Sequence, residues 1–488
     1  MKNSYSLKNF ILKVALPIVA FWTAILLLGY PIPSVDDLFF IGAAINLAKG
    51  GEFINPLIEA WNGVLSSGKF YFQPPFHSYT LAGWLKVAGI STTSFLLFQY
   101  LCYNTFSIFC ALIFRYYGFP KVTAFGATVL FAVWHCNPNP FYTTGFRQDA
   151  LGMAYLAFGL WLLTKDNWWR YFLGFTFLES AVFTSPITSA YGFAFGTAIV
   201  ANNFLYNRRS QNNNRQYIFL IGLTFLAATS LVLVIFLICI NFELQAFITD
   251  FYLHASLRRT STINAIPVFI MQIVHGYGVI LNLPSYILFL LLSIGIFFKH
   301  LSIPIERKIL FTALTLGIIL NILLYASAIG FVFFFCWLGV LSIISLMKRR
   351  SKMLIYSSMG AALLLLSSQT LNIISLLGRE YPDELRPQEI RNFVIANPNR
   401  KYAIDEVAAR FVFDYRLPKD STCWSAIRPA PASYPSAEDK LPDVIWIVAT
   451  YNLGRYIPEM QADYPKVEFM GRKFESLPKN LFEITLIP

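Results

Sequence analysis

Charge is scarce in this chain. Of its 488 residues only 13% are Asp, Glu, Lys or Arg, against roughly 25% in an ordinary soluble protein. Cysteine builds no framework. Cys102, Cys110, Cys239 and Cys336 fall inside apolar segments, where a small buried thiol is the default. Only Cys136 and Cys423 stand where both could face the outer side, and nothing beyond position favours a bridge between them. There is no internal repeat, no Gly-rich nucleotide loop of useful specificity, and no low-complexity tract apart from the polar stretch 202–216. No small-x-small cleavage site follows the first apolar run. Lys2, Lys8 and Lys13 with the segment 10–30 therefore read as a retained span, not a signal peptide. These absences argue against a soluble protein, a disulfide scaffold and a nucleotide-dependent enzyme.

What the chain has instead is apolar length. It is 56% hydrophobic and 17% aromatic, with a mean hydropathy of +0.55. Apolar runs of about 18 or more residues recur along most of it, the signature of a polytopic helical membrane protein. About eleven spans are expected, at 10–30, 93–115, 121–137, 147–164, 169–186, 187–205, 216–240, 279–298, 307–325, 327–347 and 353–374. Pro186 divides the fifth from the sixth, because proline forbids a continuous helix there.

The net charge of +12 would ordinarily suggest nucleic acid, but most of the excess lies in alternate loops. Lys2/Lys8/Lys13, Arg115/Lys121, Lys165/Arg170, Arg208/Arg209/Arg215, Lys299/Arg307/Lys308 and Lys348/Arg349/Arg350/Lys352 mark every second loop. Those loops are cytoplasmic by the positive-inside rule, which puts the N-terminus inside and everything after Leu376 outside. No nucleic-acid partner is implied. The expected location is a plasma or bacterial inner membrane. Two domains result: a membrane domain over 1–375, and an extracytoplasmic α/β domain over 376–488 with helix-like 387–396 and 406–413 and strand-like 401–404, 444–449 and 481–487. Within the membrane domain, the large outer segments are 31–92 and 241–278. The first contains two short helix-like stretches, 37–48 and 76–87, expected to lie amphipathically along the membrane surface.

Candidate chemistry gathers in that first outer segment. Asp36 and Asp37 follow directly on the first span. They either cap the helix begun by Leu38-Phe39-Phe40-Ile41 or serve a reaction, since carboxylates beside a bilayer rarely lack a partner or a task. Lys49-Gly50-Gly51 ends the first short helix. Tyr71-Phe72-Gln73-Pro74-Pro75-Phe76-His77 opens the second, which closes at Leu85-Lys86-Val87-Ala88-Gly89. This order resembles the membrane glycosyltransferases that use polyprenyl-phosphate sugars, of the GT-C type, in particular the protein mannosyltransferase and aminoarabinose transferase relatives. The resemblance covers the first 180 residues well and extends loosely to the end.

From that resemblance Asp36 would be the catalytic carboxylate, with Asp37 where Glu is commoner in the family. Transfer from a lipid phosphate with inversion needs a base to take the acceptor's proton; it needs no second carboxylic acid, because phosphate already leaves well. Cations must then meet the phosphate. Arg147, in Phe146-Arg147-Gln148-Asp149, matches an Arg-x-acid opening of the family's helix at this place, although an ion pair with Asp149 would also account for it. Arg258 and Arg259 are the other candidates, with lipid headgroup contact as the competing use. Tyr71, Gln73, His77, Asp149 and His254 would line the site. Gln73 stands where aminoarabinose transferase relatives carry a phosphate-holding Lys, and an amide cannot replace that charge. His77, His135, His254 and His275 map to the outer side without ligand spacing. No cofactor is therefore expected, a divalent metal being the minor alternative. Glu179 reads as a neutral, hydrogen-bonded carboxyl between helices. Three other functions compete: a transporter or flippase, which calls for repeats and broken helices; a glycan ligase resting on His254 and Arg258; and a non-catalytic assembly factor.

Overall fold

The computed structural model describes residues 7–27, 37–55, 68–116, 128, 146–164, 167–209, 215–258, 313, 316, 317, 319, 320, 385–405, 408, 409, 412–418, 421–424, 444–449, 468, 469, 472, 473 and 484–487. The expected spans 279–298, 327–347 and 353–374 lie outside them; 121–137 is represented by Thr128 alone and 307–325 by five positions.

The described residues are mostly helical, and three helices are long and apolar enough to cross a membrane. The first combines α1 (Leu7–Phe10), a π-helical turn (Ile11–Ala15) and α2 (Leu16–Leu27). Pro17 accounts for the wide turn: it cannot donate to the Lys13 carbonyl and crowds it, and the Leu16 N–H reaches back to Ile11 O instead. After α3 (Asp37–Ala48) and α4 (Phe76–Ala88) comes the second long helix, α5 (Thr92–Tyr116). Then follow α6 (Asp149–Leu162), α7 (Trp168–Val182), α8 (Pro186–Arg209), α9 (Arg215–Cys239) and α10 (Leu244–Arg258).

Helix α5 is central: 56% of its apolar window is buried, against 28% for the windows 8–27 and 219–239. The Trp22 indole N–H donates to Ser107 Oγ at 3.0 Å and its ring stacks on Tyr103 at 4.6 Å, which seats α2 along α5. Helix α9 leaves Phe219, Leu223, Leu226, Val234 and Ile238 exposed. An apolar stripe of that kind would be a liability in water and is the natural face toward lipid. Glycines permit a close helix crossing, where a Cβ on Gly159 would come within 2.8 Å of Gly174 O.

The short helices start and stop as their sequences dictate. Gly50, at φ 85°, terminates α3, with the Gly51 N–H donating to Asn46 O at 3.0 Å. Pro75 precedes the first residue of α4 and Gly89, at φ 79°, follows its last. Helix α4 fits the one-sided expectation, burying Phe76, His77, Ser78, Leu81, Ala82 and Leu85 and exposing Lys86 and Val87. Helix α3 does not. Phe39, Phe40, Ile41, Ala43, Ala44 and Ile45 are all buried, which covers every side of it. The cause is the chain that follows: Asn55 lies across the helix at Gly42, donating to Phe39 O, while Phe70 and Phe72 pack on Phe39. Residues 39–45 form an interior helix, not a surface one, and Asn46, Leu47 and Ala48 are half-buried.

The tail contains α11 (Leu385–Ala396) and a four-stranded sheet in the order β2-β1-β3-β6, formed by β1 (Lys401–Asp405), β2 (Ser421–Trp424), β3 (Val444–Ala449) and β6 (Ile484–Ile487). Strand β1 runs parallel to both neighbours and β6 pairs antiparallel with β3. A small β4–β5 hairpin (Glu468–Phe469 with Arg472–Lys473) is separate. The expected α/β character is present.

Candidate functional site

The centre of interest lies where α3, α4, α5 and the start of α6 meet. Asp149, the first residue of α6, is 1% exposed, and two groups compensate its carboxylate. Arg147 Nε lies 2.8 Å from Oδ2, and the Ser185 hydroxyl donates to Oδ1. Ser185 also accepts from the Ile187 N–H, so one hydroxyl both starts α8 and serves the carboxylate of a different helix. The Arg147 guanidinium lies 5.0 Å from the Phe40 ring centroid, which brings it against α3. Its own carbonyl accepts from Gln99 Nε2 at 3.1 Å, which ties the turn to α5. The ion pair that competes with phosphate binding is therefore formed.

His77 and Gln73 complete the cluster. Gln148 Nε2 donates to Gln73 Oε1 at 2.6 Å, both side chains being buried, so the amide in place of a lysine has a neutral partner suited to it. His77 is 1% exposed, and burial pushes its pKa down to about 4, against the opposing charge of Asp149 and a hydrogen bond to the Phe40 backbone. Nε2 has no hydrogen-bond partner among the described residues. His77 thus presents a ring nitrogen without a partner beside the Asp149 carboxylate, where burial disfavours the charged form of the ring.

A second cluster fastens the start of α10 to the chain that leads into α4. The Tyr71 hydroxyl lies 2.8 Å from two acceptors, Glu243 Oε2 and Ile240 O, which share its single proton, while Lys69 Nζ meets Glu243 Oε1 at 2.8 Å. Lys69 and Tyr71 hold the Glu243 carboxyl below its usual range, and burial together with Glu243 pushes the Tyr71 phenol up. The chain reverses here through Asn241 and Phe242, at φ 52° and 60°. The Tyr71 ring rests 5.8 Å from Phe247 on α10.

Of the residues singled out from the sequence, His77, Arg147 and Asp149 fall in one cluster with Gln73 beside Gln148, and Tyr71 anchors the other. Asp37 is the first residue of α3, and His254 and Arg258 lie on the last two turns of α10. Asp36, Arg259, His135 and His275 lie outside the described residues. Glu179 lies on α7. No group of three metal-ligating side chains occurs among the described residues. Sequence reasoning missed Gln99, Gln148 and Ser185 as partners. Gln148 sat inside the quoted Phe146-Arg147-Gln148-Asp149 and could have been paired with Gln73 as two amides beside matching motifs. Ser185, next to Pro186, carried no such signal. No protein-family model matches this chain and no curated protein matches it.

Proposed function

We propose that this chain is an integral membrane glycosyltransferase that moves a sugar from a polyprenyl-phosphate donor to an acceptor hydroxyl on the outer face of the membrane, with inversion. The observation that carries the reading is a convergence. The helix that follows the acidic pair, the helix opened by Pro74-Pro75 and the Arg-x-acid start of α6 are the three motifs of the resemblance, and they pack around His77, Arg147 and Asp149. In this reading Asp36 takes the acceptor's proton, Asp37 orients it, and the phosphate leaves against Arg258 and Arg259, with Arg147 contributing whatever its ion pair with Asp149 leaves. Tyr71, Gln73, His77 and His254 shape the site.

The proposed topology is eleven spans, N-terminus inside and tail outside. It draws support from which segments meet. Parts of 68–76, 146–149, 183–185, 240–247 and 414–416, assigned to one side by Lys and Arg alternation, are linked by hydrogen bonds or ring contacts to one another or to the chain around Thr92. At the opposite end, Arg115 lies over the Phe10 ring at 5.5 Å, joining two segments assigned to the cytoplasm.

The deciding measurement is Asp36→Asn in purified, reconstituted protein, with label followed from a panel of polyprenyl-phosphate sugars and donor binding measured alongside. Transfer is expected to fall at least a hundredfold, the order of a general base's contribution (~10²–10⁴-fold), with donor binding retained. One other reading has an observation behind it. The clasp of Tyr71 on Glu243 and Phe247 fastens the start of α10, the helix that carries His254 and Arg258, to the chain that opens α4, a link that a glycan ligase centred on those residues would use. Full transfer by Asp36→Asn together with loss in His254→Gln would select it.

A further inference from the structure

A groove of about 540 Å³ opens where the C-terminal ends of α3 and α4 meet the tail. Lys49, Lys86 and Arg416 line it over an apolar floor that includes Leu85, Ile90 and Tyr415. These cations come from three separate stretches of the chain, and no carboxylate is among the lining residues. The nearest acid in sequence, Asp414, is already engaged: it accepts from the Thr92 N–H at the start of α5. Among the described residues neither Lys49 nor Lys86 forms an ion pair, whereas Lys69 and Arg147 both do. Arg416 reaches Ile90 O at 3.4 Å, which holds it at the rim.

The position of the groove selects its ligand. Ile90 stands two residues before Thr92, where an apolar helix long enough to cross the membrane begins. Next to Lys86, Val87 is 88% exposed. An apolar floor, a cationic rim and a level at the end of a span together match an amphiphile with a negative head. Cations at helix C-termini also complement the helix dipole, which would account for Lys49 and Lys86 singly. It does not account for Arg416, which the tail supplies from the left-handed pair Asp414 and Tyr415, at φ 48° and 60°.

We propose that this groove binds the phosphodiester headgroup of an anionic lipid, with Lys49, Lys86 and Arg416 around the phosphate and the acyl end over Leu85 and Ile90. The tail domain thereby contributes to a lipid site on the membrane domain. The site is separate from the proposed donor phosphate and does not rest on the transfer reaction.

The test uses the full chain in zwitterionic nanodiscs and reads binding, not transfer. Short-chain phosphatidylglycerol is titrated by native mass spectrometry, with phosphatidylcholine of equal chain length and inorganic phosphate as separate arms. Phosphatidylglycerol is expected to bind and phosphatidylcholine not to. Lys49→Gln and Lys86→Gln should each weaken binding about fivefold, the order expected for one interfacial cation. Both side chains are exposed, so the double variant keeps its fold; Arg416→Lys then tests the third cation with its charge retained. Equal binding of the two lipids, or unchanged binding in the double variant, overturns the proposal. Inorganic phosphate competing as well as the lipid would also overturn it, in favour of a soluble anion. Loss of transfer in Asp36→Asn with lipid binding intact would leave the two proposals independently supported.

Discussion

Removing either member of the Arg147–Asp149 pair leaves a charge where little water reaches it, since the carboxylate is 1% exposed and the arginine side chain 22%. Arg147→Met is therefore expected to lower stability by about 3 kcal/mol, read as the unfolding transition of the purified protein, because breaking a buried pair costs more than the pair itself contributes. A second variant separates structure from chemistry. In an Asp149→Asn background the arginine has no carboxylate to answer, so a further Arg147→Gln should lower donor binding only if the guanidinium also meets phosphate. His77 adds a pH signature. Its folded pKa, about 4, lies below the 6.5 of an unfolded histidine, so the unfolded chain binds more protons between those values. Stability is then complete above pH 6.5 and declines toward pH 4, by up to about 3 kcal/mol for a shift of this size. His77→Gln should abolish that part of the decline, while the Glu243 contribution, lost only below its ordinary 4.5, remains. Much of this cluster was legible in the sequence. Gln73, His77, Arg147 and Asp149 were picked out by the order of motifs along the chain. Ser185 was not, because it meets Asp149 across 36 residues and a hydroxyl partner follows no spacing rule.

Helices were legible where punctuation bounded them. Pro74-Pro75, Gly89, Ser185-Pro186 and Gly50-Gly51 lie at or within a residue or two of helix ends. Helix α3 was misjudged as a surface element although the correct signal was available: residues 38–45 hold no polar side chain, and a helix apolar all round is a buried one. What the sequence could not show was the cover, since Asn55 and the Phe70–Phe72 stretch reach α3 only through loop geometry. Two predictions belong at this scale. Gly159→Ala places a methyl against the Gly174 carbonyl, backbone that cannot rotate away; the α6–α7 crossing must open, at about 1–3 kcal/mol, visible as a lower melting temperature. Tyr71→Phe removes the donor shared by Glu243 and Ile240 O, and should loosen the clasp between 69–71 and α10 by about 1–2 kcal/mol. Hydrogen exchange confined to 240–258 would register it.

At the scale of the whole chain, the alternation of Lys and Arg makes a claim that labelling can check. Single cysteines placed in the tail should react with a membrane-impermeant maleimide in intact cells, and cysteines near Lys8 or Arg209 should not; equal reactivity of the tail and the Lys8 region would require an even number of spans, and the reverse pattern an inverted orientation. Among the described residues, the tail is tied back to the helices around Asp414–Arg416. Asp414 meets the first amide of α5, and Tyr415 packs on Phe95 and Phe146 at ring distances of 5.1 and 6.3 Å. This fastening has a meaning in the order of biosynthesis. Helix α5 leaves the ribosome early, yet a group that finishes its N-terminus is 322 residues downstream. Until translation reaches Asp414, that end waits with an open amide. A chain stopped before Asp414 is born unfinished there, which exposes it to the proteases that clear incomplete membrane proteins, so the fold itself distinguishes a chain that has passed this residue from one that has not.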